Sequence, residues 1–173
     1  MSTIKRIGFG QVEPNHLSAQ RTSQIYAQLP LKKDMTILEN GQFVKYDYAN
    51  NEVNLTGKGE FMLVLNEVKL YDERDTYKDF ALNRKDFVGE EIVPRLFKTN
   101  VGDIYTTNCV GAANTSKNAT YAGIELEVGD NLKVDEATGY LVKGDGSEDM
   151  VWEVVKVYTM ADGQPAVKIM RTK

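Results

Sequence analysis

The sequence has few of the residues that most often carry crosslinks or catalysis. Among its 173 residues it contains one cysteine and one histidine. A single Cys109 cannot form an intramolecular disulfide and provides no cysteine spacing for a metal site. The only histidine, His16, lies in a polar stretch, and nothing in the local sequence would activate the thiol of Cys109. A hydrolytic nucleophile–base pair is therefore not predicted.

Long apolar runs are also missing. The longest, Phe61–Leu65, stops at Asn66 and is far too short for a membrane-spanning helix. Met1–Gly10 carries Lys5 and Arg6 without the apolar run of a secretory signal. The formal net charge is −4, whereas a nucleic-acid-binding domain usually carries a basic face. We expect a protein of a reducing cytoplasm that has no membrane or nucleic-acid partner.

Catalytic and cofactor motifs are likewise missing. The sequence has no Gly-x-Ser-x-Gly and no phosphate-binding lysine loop. Gly8-Phe9-Gly10 begins like a dinucleotide fingerprint, but Glu13 stands where the third glycine belongs. The acidic stretch Asp145–Asp149 lacks the ligand spacing of a calcium loop, which favours a turn. We predict no enzyme, cofactor or metal, with a glycosidase-type carboxylate pair left open because it has no sequence signature.

What is present indicates β-structure. Val44, Tyr46 and Tyr48 alternate with Lys45 and Asp47, a half-buried strand pattern with a predicted return strand at 53–55 after a turn. The apolar run Phe61–Leu65 predicts a strand buried on both faces. Further strands are predicted at 91–98, 103–107, 124–128, 132–134, 140–142, 150–158 and 166–171. Pro94 marks an edge strand or a bulge. The last two strands are predicted to form a closing hairpin. The predicted fold is mainly β, an antiparallel barrel or sandwich.

Two segments depart from this pattern. Residues 1–34 are polar, interrupted by Pro14 and Pro30, and predict an extended N-terminal arm on a body of residues 35–173; a floppy tail is the alternative. Residues 71–90 form a charged insertion that could be a short helix or simply a solvated face. Both segments are candidate interfaces with another subunit. The candidate contact residues are Gln11, Leu17, Arg21, Ile25 and Tyr26 in the arm, and Tyr77, Phe80, Arg84 and Phe87 in the insertion.

The C-terminal half carries a family resemblance. The stretch 122–134 with its Gly129-Asp130 turn, the stretch 138–142, and the hairpin between Trp152 and Arg171 resemble the decoration or cement proteins of tailed-phage heads, as do 40–47 and 79–85. Such a resemblance implies a non-catalytic virion structural protein that binds the major capsid protein and neighbouring copies of itself. It also implies assembly onto the capsid in the host cytoplasm.

The alternative is a small β-barrel module that binds a glycan or a receptor. Its candidate platform aromatics are Tyr46, Tyr48 and Trp152, although core packing is the preferred explanation for these residues.

Overall fold

The described residues form fourteen strands, and all but the last two of these have five residues or fewer. The computed structural model describes residues 2–5, 8–13, 29–66, 81–83, 89–111, 123–161 and 163–173, and these ranges contain no helix. They therefore also hold no helix with the length and apolar character that crossing a membrane requires. The strands are β1 (Ser2–Ile4), β2 (Val12–Glu13), β3 (Ile37–Glu39), β4 (Phe43–Asp47), β5 (Glu52–Asn54), β6 (Met62–Val64), β7 (Ala81–Asn83), β8 (Leu96–Phe97), β9 (Ile104–Thr107), β10 (Ile124–Leu126), β11 (Asn131–Val134), β12 (Leu141–Lys143), β13 (Trp152–Thr159) and β14 (Pro165–Arg171).

All pairings between these strands are antiparallel and form four sheets. The largest sheet has the order β12-β11-β13-β14-β9-β2, and a second has the order β5-β4-β6-β8. Two small sheets pair β1 with β10 and β3 with β7. The mainly-β prediction is confirmed. Both large sheets are open in the described residues, which show no closed barrel.

The two large sheets share one apolar core. The inward face of the six-stranded sheet contributes Tyr105, Leu132 and Trp152, and the four-stranded sheet contributes Phe43 and Leu63. The Trp152 ring contacts both layers, with centroids 5.1 Å from Tyr105 and 5.8 Å from Phe43. The layers therefore pack as a sandwich around Trp152.

The four-stranded sheet is buried on its second face as well. Val44, Met62 and Val64 point away from the shared core into another apolar cluster, which Leu38 and Leu82 of β3 and β7 help to form. This arrangement confirms the predicted burial of the 61–65 run on both faces. It also explains the run's composition, since neither face of β6 meets solvent.

The predicted arm contributes strands to the body. Ser2–Ile4 pairs with β10, and Val12–Glu13 pairs with β9 at one edge of the six-stranded sheet. The Ile4 side chain is buried in the shared core. On the far side of residues 14–28, Leu31 bridges to Val53 of β5. The described parts of residues 1–34 are therefore tethered by their own chain.

The possible helix in the insertion lies largely outside the described residues. Its described part, Ala81–Asn83, is a strand paired with Ile37–Glu39. Pro94 precedes β8, an edge strand of the four-stranded sheet, as predicted. The closing hairpin is confirmed as β13 and β14, with an irregular register at Val155 between Val154 and Lys156.

Candidate functional site

A buried polar cluster holds the N-terminal segment against the body. Glu39 is fully buried at the end of β3, and its Oε1 accepts a hydrogen bond of 3.0 Å from the backbone N–H of Gly10. Its other carboxylate oxygen accepts a hydrogen bond from the Tyr140 hydroxyl. A buried carboxylate requires such donors because burial removes its water. We call Glu39, Tyr140, Asn108 and Thr107, with the backbone of residues 10 and 11, the polar seam.

Gln11, a predicted interface residue, is bound by its backbone to this seam. Its N–H donates to Asn108 Oδ1 at 2.7 Å, and its C=O accepts from the Thr107 hydroxyl at 2.7 Å. Asn108 is fully buried and also donates to Gln164 Oε1 at 3.1 Å. The Gln11 backbone therefore fastens the segment to its own body.

The remaining predicted interface residues lie outside the residues that the structure describes. Their assignment stays a prediction. They are Leu17, Arg21, Ile25 and Tyr26 of the arm, and Tyr77, Phe80, Arg84 and Phe87 of the insertion. His16 also falls outside the described ranges, while Cys109 is fully buried.

A surface cleft opens where one end of the four-stranded sheet meets the six-stranded sheet. Its volume is about 790 Å³. We call it the charged cleft because most of its walls are ionisable side chains. It is lined by Lys45, Gly59, Glu60, Phe61, Lys133, Val134, Asp135, Glu136, Ser147, Glu148, Asp149, Met150 and Arg171.

Arg171 fixes the geometry on one side of the cleft. Its guanidinium is mostly buried and lies 2.5 Å from Glu60 Oε1, joining β14 to the chain just before β6. The same side chain donates to the carbonyl and hydroxyl of Thr99. Because several acceptors hold one planar group, this arginine positions the two sheets relative to each other.

The other side of the cleft is a tight acidic turn. The pKa of Asp145 is lowered because its carboxylate accepts hydrogen bonds from the hydroxyl and the backbone N–H of Ser147. The pKa of Glu148 is lowered by its own backbone N–H and by those of Asp145 and Gly146. Lys133 Nζ also lies 3.6 Å from Glu148. The predicted turn at 145–149 is confirmed, and the carboxylates of Asp145 and Glu148 accept hydrogen bonds from donors within it.

The floor of the cleft is apolar. Phe61, Val134 and Met150 are each only 8% exposed there. Lys45 Nζ lies 4.2 Å from the centroid of the Phe61 ring, a cation–π contact. The cleft thus combines charged walls with a narrow apolar base.

A smaller depression of about 160 Å³ continues the cleft. It shares Gly59 and Glu60 with the cleft, and Tyr46, Tyr48, Lys58, Met62 and Lys98 complete its lining. We call it the tyrosine depression. Tyr48 is 66% exposed and its ring centroid lies 5.5 Å from that of buried Tyr46. Of the three predicted platform aromatics, Trp152 and Tyr46 are core residues and Tyr48 alone is exposed.

Sequence reasoning missed the cleft because its walls come from segments distant in the chain. In the first half of the chain, Lys45 lies within β4 and Glu60 precedes β6. In the second half, Lys133 and Arg171 lie in β11 and β14, and Glu148 lies in the turn after β12. The available signal was the charge that interrupts the β-pattern beside turns. That signal does not indicate which turns meet in space.

Within the described ranges, no group of three or more His, Cys, Asp or Glu side chains is placed to hold a metal ion. Comparison of the chain with protein-family models, curated proteins and solved structures finds no match.

Proposed function

We propose that this protein is a non-catalytic virion structural protein that decorates or cements a tailed-phage capsid. It binds the major capsid protein and neighbouring copies of itself. The observation that carries the contact-making role is the charged cleft, where an apolar floor and the adjoining exposed Tyr48 are bordered by charged side chains, as an apolar centre is bordered by a polar rim in protein–protein interfaces. The capsid setting derives from the resemblance of the Gly-Asp turn and closing hairpin to head decoration proteins.

The sandwich supports this role by providing a rigid base. Trp152 joins the two large sheets, and the polar seam fixes residues 10 and 11 to them. Contacts made by a preorganised surface lose less conformational entropy on binding than contacts made by a mobile one. The predicted interface residues from Leu17 to Tyr26 lie in the connection between β2 and Leu29, so their position along the chain suits an interface anchored at both ends.

The test measures binding to purified heads produced by the genome that encodes this chain. Wild-type protein is expected to co-sediment with these heads at a fixed stoichiometry. Replacing residues 15–27 by a glycine/serine linker of equal length should abolish co-sedimentation and leave β1 and β2 in place. Deleting residues 2–30 is unsuitable because it removes both strands and the buried Ile4.

A matched control replaces residues 113–121 by a glycine/serine linker and is expected to co-sediment normally. Circular dichroism checks that both variants keep the wild-type strand signal. Failure of the wild-type protein to bind heads overturns the capsid assignment. Normal binding by the 15–27 variant overturns the role of Leu17, Arg21, Ile25 and Tyr26.

A glycan-binding role is the second candidate, favoured by the exposure of Tyr48 beside the tyrosine depression. Exposed aromatic rings are suitable platforms for sugars because they offer a flat apolar face with a polar edge. A glycan-array signal that disappears in Tyr48→Ala would support this role. Trp152→Ala cannot test it, because Trp152 is fully buried.

A further inference from the structure

We infer that the charged cleft docks an extended, cationic segment of a partner polypeptide, which leaves the cleft beside the exposed ring of Tyr48. This inference rests on the contact-making role proposed above and names the chemistry of the partner. Three features of the surface carry it, namely its charge balance, its apolar floor and the exposed ring at one end.

The cleft has an excess of negative charge. Five carboxylates line it (Glu60, Asp135, Glu136, Glu148 and Asp149), against three cations (Lys45, Lys133 and Arg171), which leaves a formal charge of −2. The adjoining tyrosine depression adds Lys58 and Lys98, of which Lys98 pairs with Glu60, so the negative excess is confined to the cleft. Two of the cations are already committed, since Arg171 pairs with Glu60 and Lys133 with Glu148.

The uncommitted acids are the ones nearest to solvent. Glu136 and Asp149 are exposed and form no ion pair with any residue that the structure describes. Complementary charge on a partner would therefore meet carboxylates with no internal competitor.

The floor suits the stems of lysine and arginine side chains. Phe61, Val134 and Met150 present narrow apolar strips between the charged walls. Lysine and arginine bury their methylene stems on such surface and keep the charged head at a polar rim. The floor already accepts one cationic head group of this chain, because Lys45 Nζ lies 4.2 Å from the centroid of the Phe61 ring.

Tyr48 offers an anchor at the end of the surface. Its ring is exposed and supported by Tyr46, so little conformational entropy is lost when a partner covers it. Tyrosine is enriched among residues that dominate interface energies, and its face attracts cationic groups. A chain leaving the cleft past Gly59 and Glu60 would pass directly onto this ring.

A polypeptide fits better than a small ligand. A small-molecule site usually offers a few buried polar groups that fix the ligand's orientation. Within the described ranges, the buried polar side-chain atoms without a hydrogen bond are Tyr105 Oη and Trp152 Nε1, and both belong to core residues that do not line the cleft. The cleft instead offers exposed charge along an open path.

The test titrates full-length protein with a fluorescein-labelled octapeptide that alternates lysine and valine, followed by fluorescence anisotropy. The matched probe alternates glutamate and valine. We expect saturable binding of the lysine probe only. The double variant Glu136→Lys/Asp149→Lys should weaken it at least about tenfold, because like charges are then juxtaposed. Tyr48→Ala should weaken it by about fivefold to tenfold.

The control is Glu125→Lys/Glu127→Lys, which makes the same change in net charge at two exposed carboxylates outside the cleft. This control should change affinity less than about twofold, because neither carboxylate lines the cleft and the interaction between separated exposed charges is weakened by salt. Equal weakening by both double variants shows general electrostatic attraction and overturns the inference. Absence of lysine-probe binding, or preference for the glutamate probe, also overturns it.

Head binding separates this inference from the proposed function. If wild-type protein and the Glu136→Lys/Asp149→Lys variant bind heads equally well, the cleft inference fails and the capsid role stands. If the lysine probe binds at the cleft but heads do not bind wild-type protein, the capsid role fails and the cleft inference stands. A wild-type protein that associates with itself, and loses that association in the cleft variant, identifies a second copy as the occupant and overturns the assignment to a different partner.

Discussion

The strand β2 of the N-terminal segment and the closing hairpin lie in the same six-stranded sheet but are held there by different forces. β13 and β14 are long strands whose inward side chains, including Trp152 and Ile169, are fully buried. β2 has only two residues, and the chain before it is fastened by Glu39 and Asn108. Apolar burial is non-directional, and the pattern of apolar residues in a strand predicts it. The polar seam instead requires individual hydrogen-bond donors and acceptors from distant parts of the chain to meet with the right geometry.

The largest effect is expected from removing the ring that joins the two sheets. Trp152→Ala leaves a cavity between Phe43 and Tyr105 and should lower the free energy of unfolding by about 3 to 5 kcal/mol. Urea unfolding monitored by circular dichroism measures this loss. The control Tyr48→Ala, at an exposed ring, should change stability by less than about 0.5 kcal/mol. Comparable losses in both variants would contradict the central position of Trp152.

A smaller and more local effect is expected in the polar seam. Glu39→Ala leaves the Gly10 N–H and the Tyr140 hydroxyl without this acceptor and should cost about 2 to 3 kcal/mol. Glu39→Gln keeps one acceptor oxygen and should cost less. Amide hydrogen exchange locates the effect, with faster exchange expected at Gly10 and Gln11 and unchanged exchange at Ile169. Uniformly faster exchange would show that the seam and the hairpin unfold as one unit.

Removing the hydroxyl groups of two buried tyrosines should change the free energy of unfolding by still smaller amounts. Tyr140→Phe removes a donor to Glu39 and should destabilise the protein by about 1 kcal/mol. Tyr105 Oη is buried without a hydrogen-bond partner among the described residues, and burial raises the pKa of this phenol well above 10.0. Tyr105→Phe should therefore leave stability unchanged or raise it by up to about 1 kcal/mol. Thermal unfolding of both variants tests whether their stability changes have opposite signs. If Tyr105→Phe lowers the stability, the Tyr105 hydroxyl has a hydrogen-bond partner outside the described residues.

The smallest effect is expected from the surface turns, and it depends on pH. The Glu127 backbone N–H, together with Lys143, lowers the pKa of Asp130 below its ordinary 3.8. Side-chain hydrogen bonds from Asn50 and Asn54 likewise lower the pKa of Asp47. A lowered folded-state pKa adds stability that is present above pH 3.8 and is lost as the pH falls through the folded value. The melting temperature should therefore decrease between pH 4 and pH 2, and less steeply in Asp130→Asn.

Much of the body could be predicted from local patterns. Alternation at Val44 and Tyr46, the run at 61–65 and the turns around Gly129 and Gly163 each encode a strand or its end within a few residues. β4, β6, β11, β13 and β14 appear where such patterns predict them. Hydrophobic periodicity suffices where one side of a strand is covered by the core.

The missed elements are those that non-local contacts stabilise. β1 and β2 have three and two residues, too few to show a period, and they exist because β10 and β9 offer open edges. Val128 shows a related error. The sequence predicts a strand over 124–128, but β10 ends at Leu126 and Val128 is 64% exposed in the following turn. The cleft was missed for the same reason, since sheet packing decides which turns become neighbours.

The single thiol of the chain provides a way to follow the seam over time. Cys109 is fully buried, and its side chain lies so close to Gly10 that a methyl group there would stand 2.9 Å from the sulfur. A thiol reagent can reach this sulfur only when the covering backbone moves away or the domain unfolds. The rate of modification under native conditions therefore reports how often the N-terminal segment detaches. Cys109, which has no role in the proposed binding surface, can therefore serve as a probe of how firmly residues 8–13 are attached to the body.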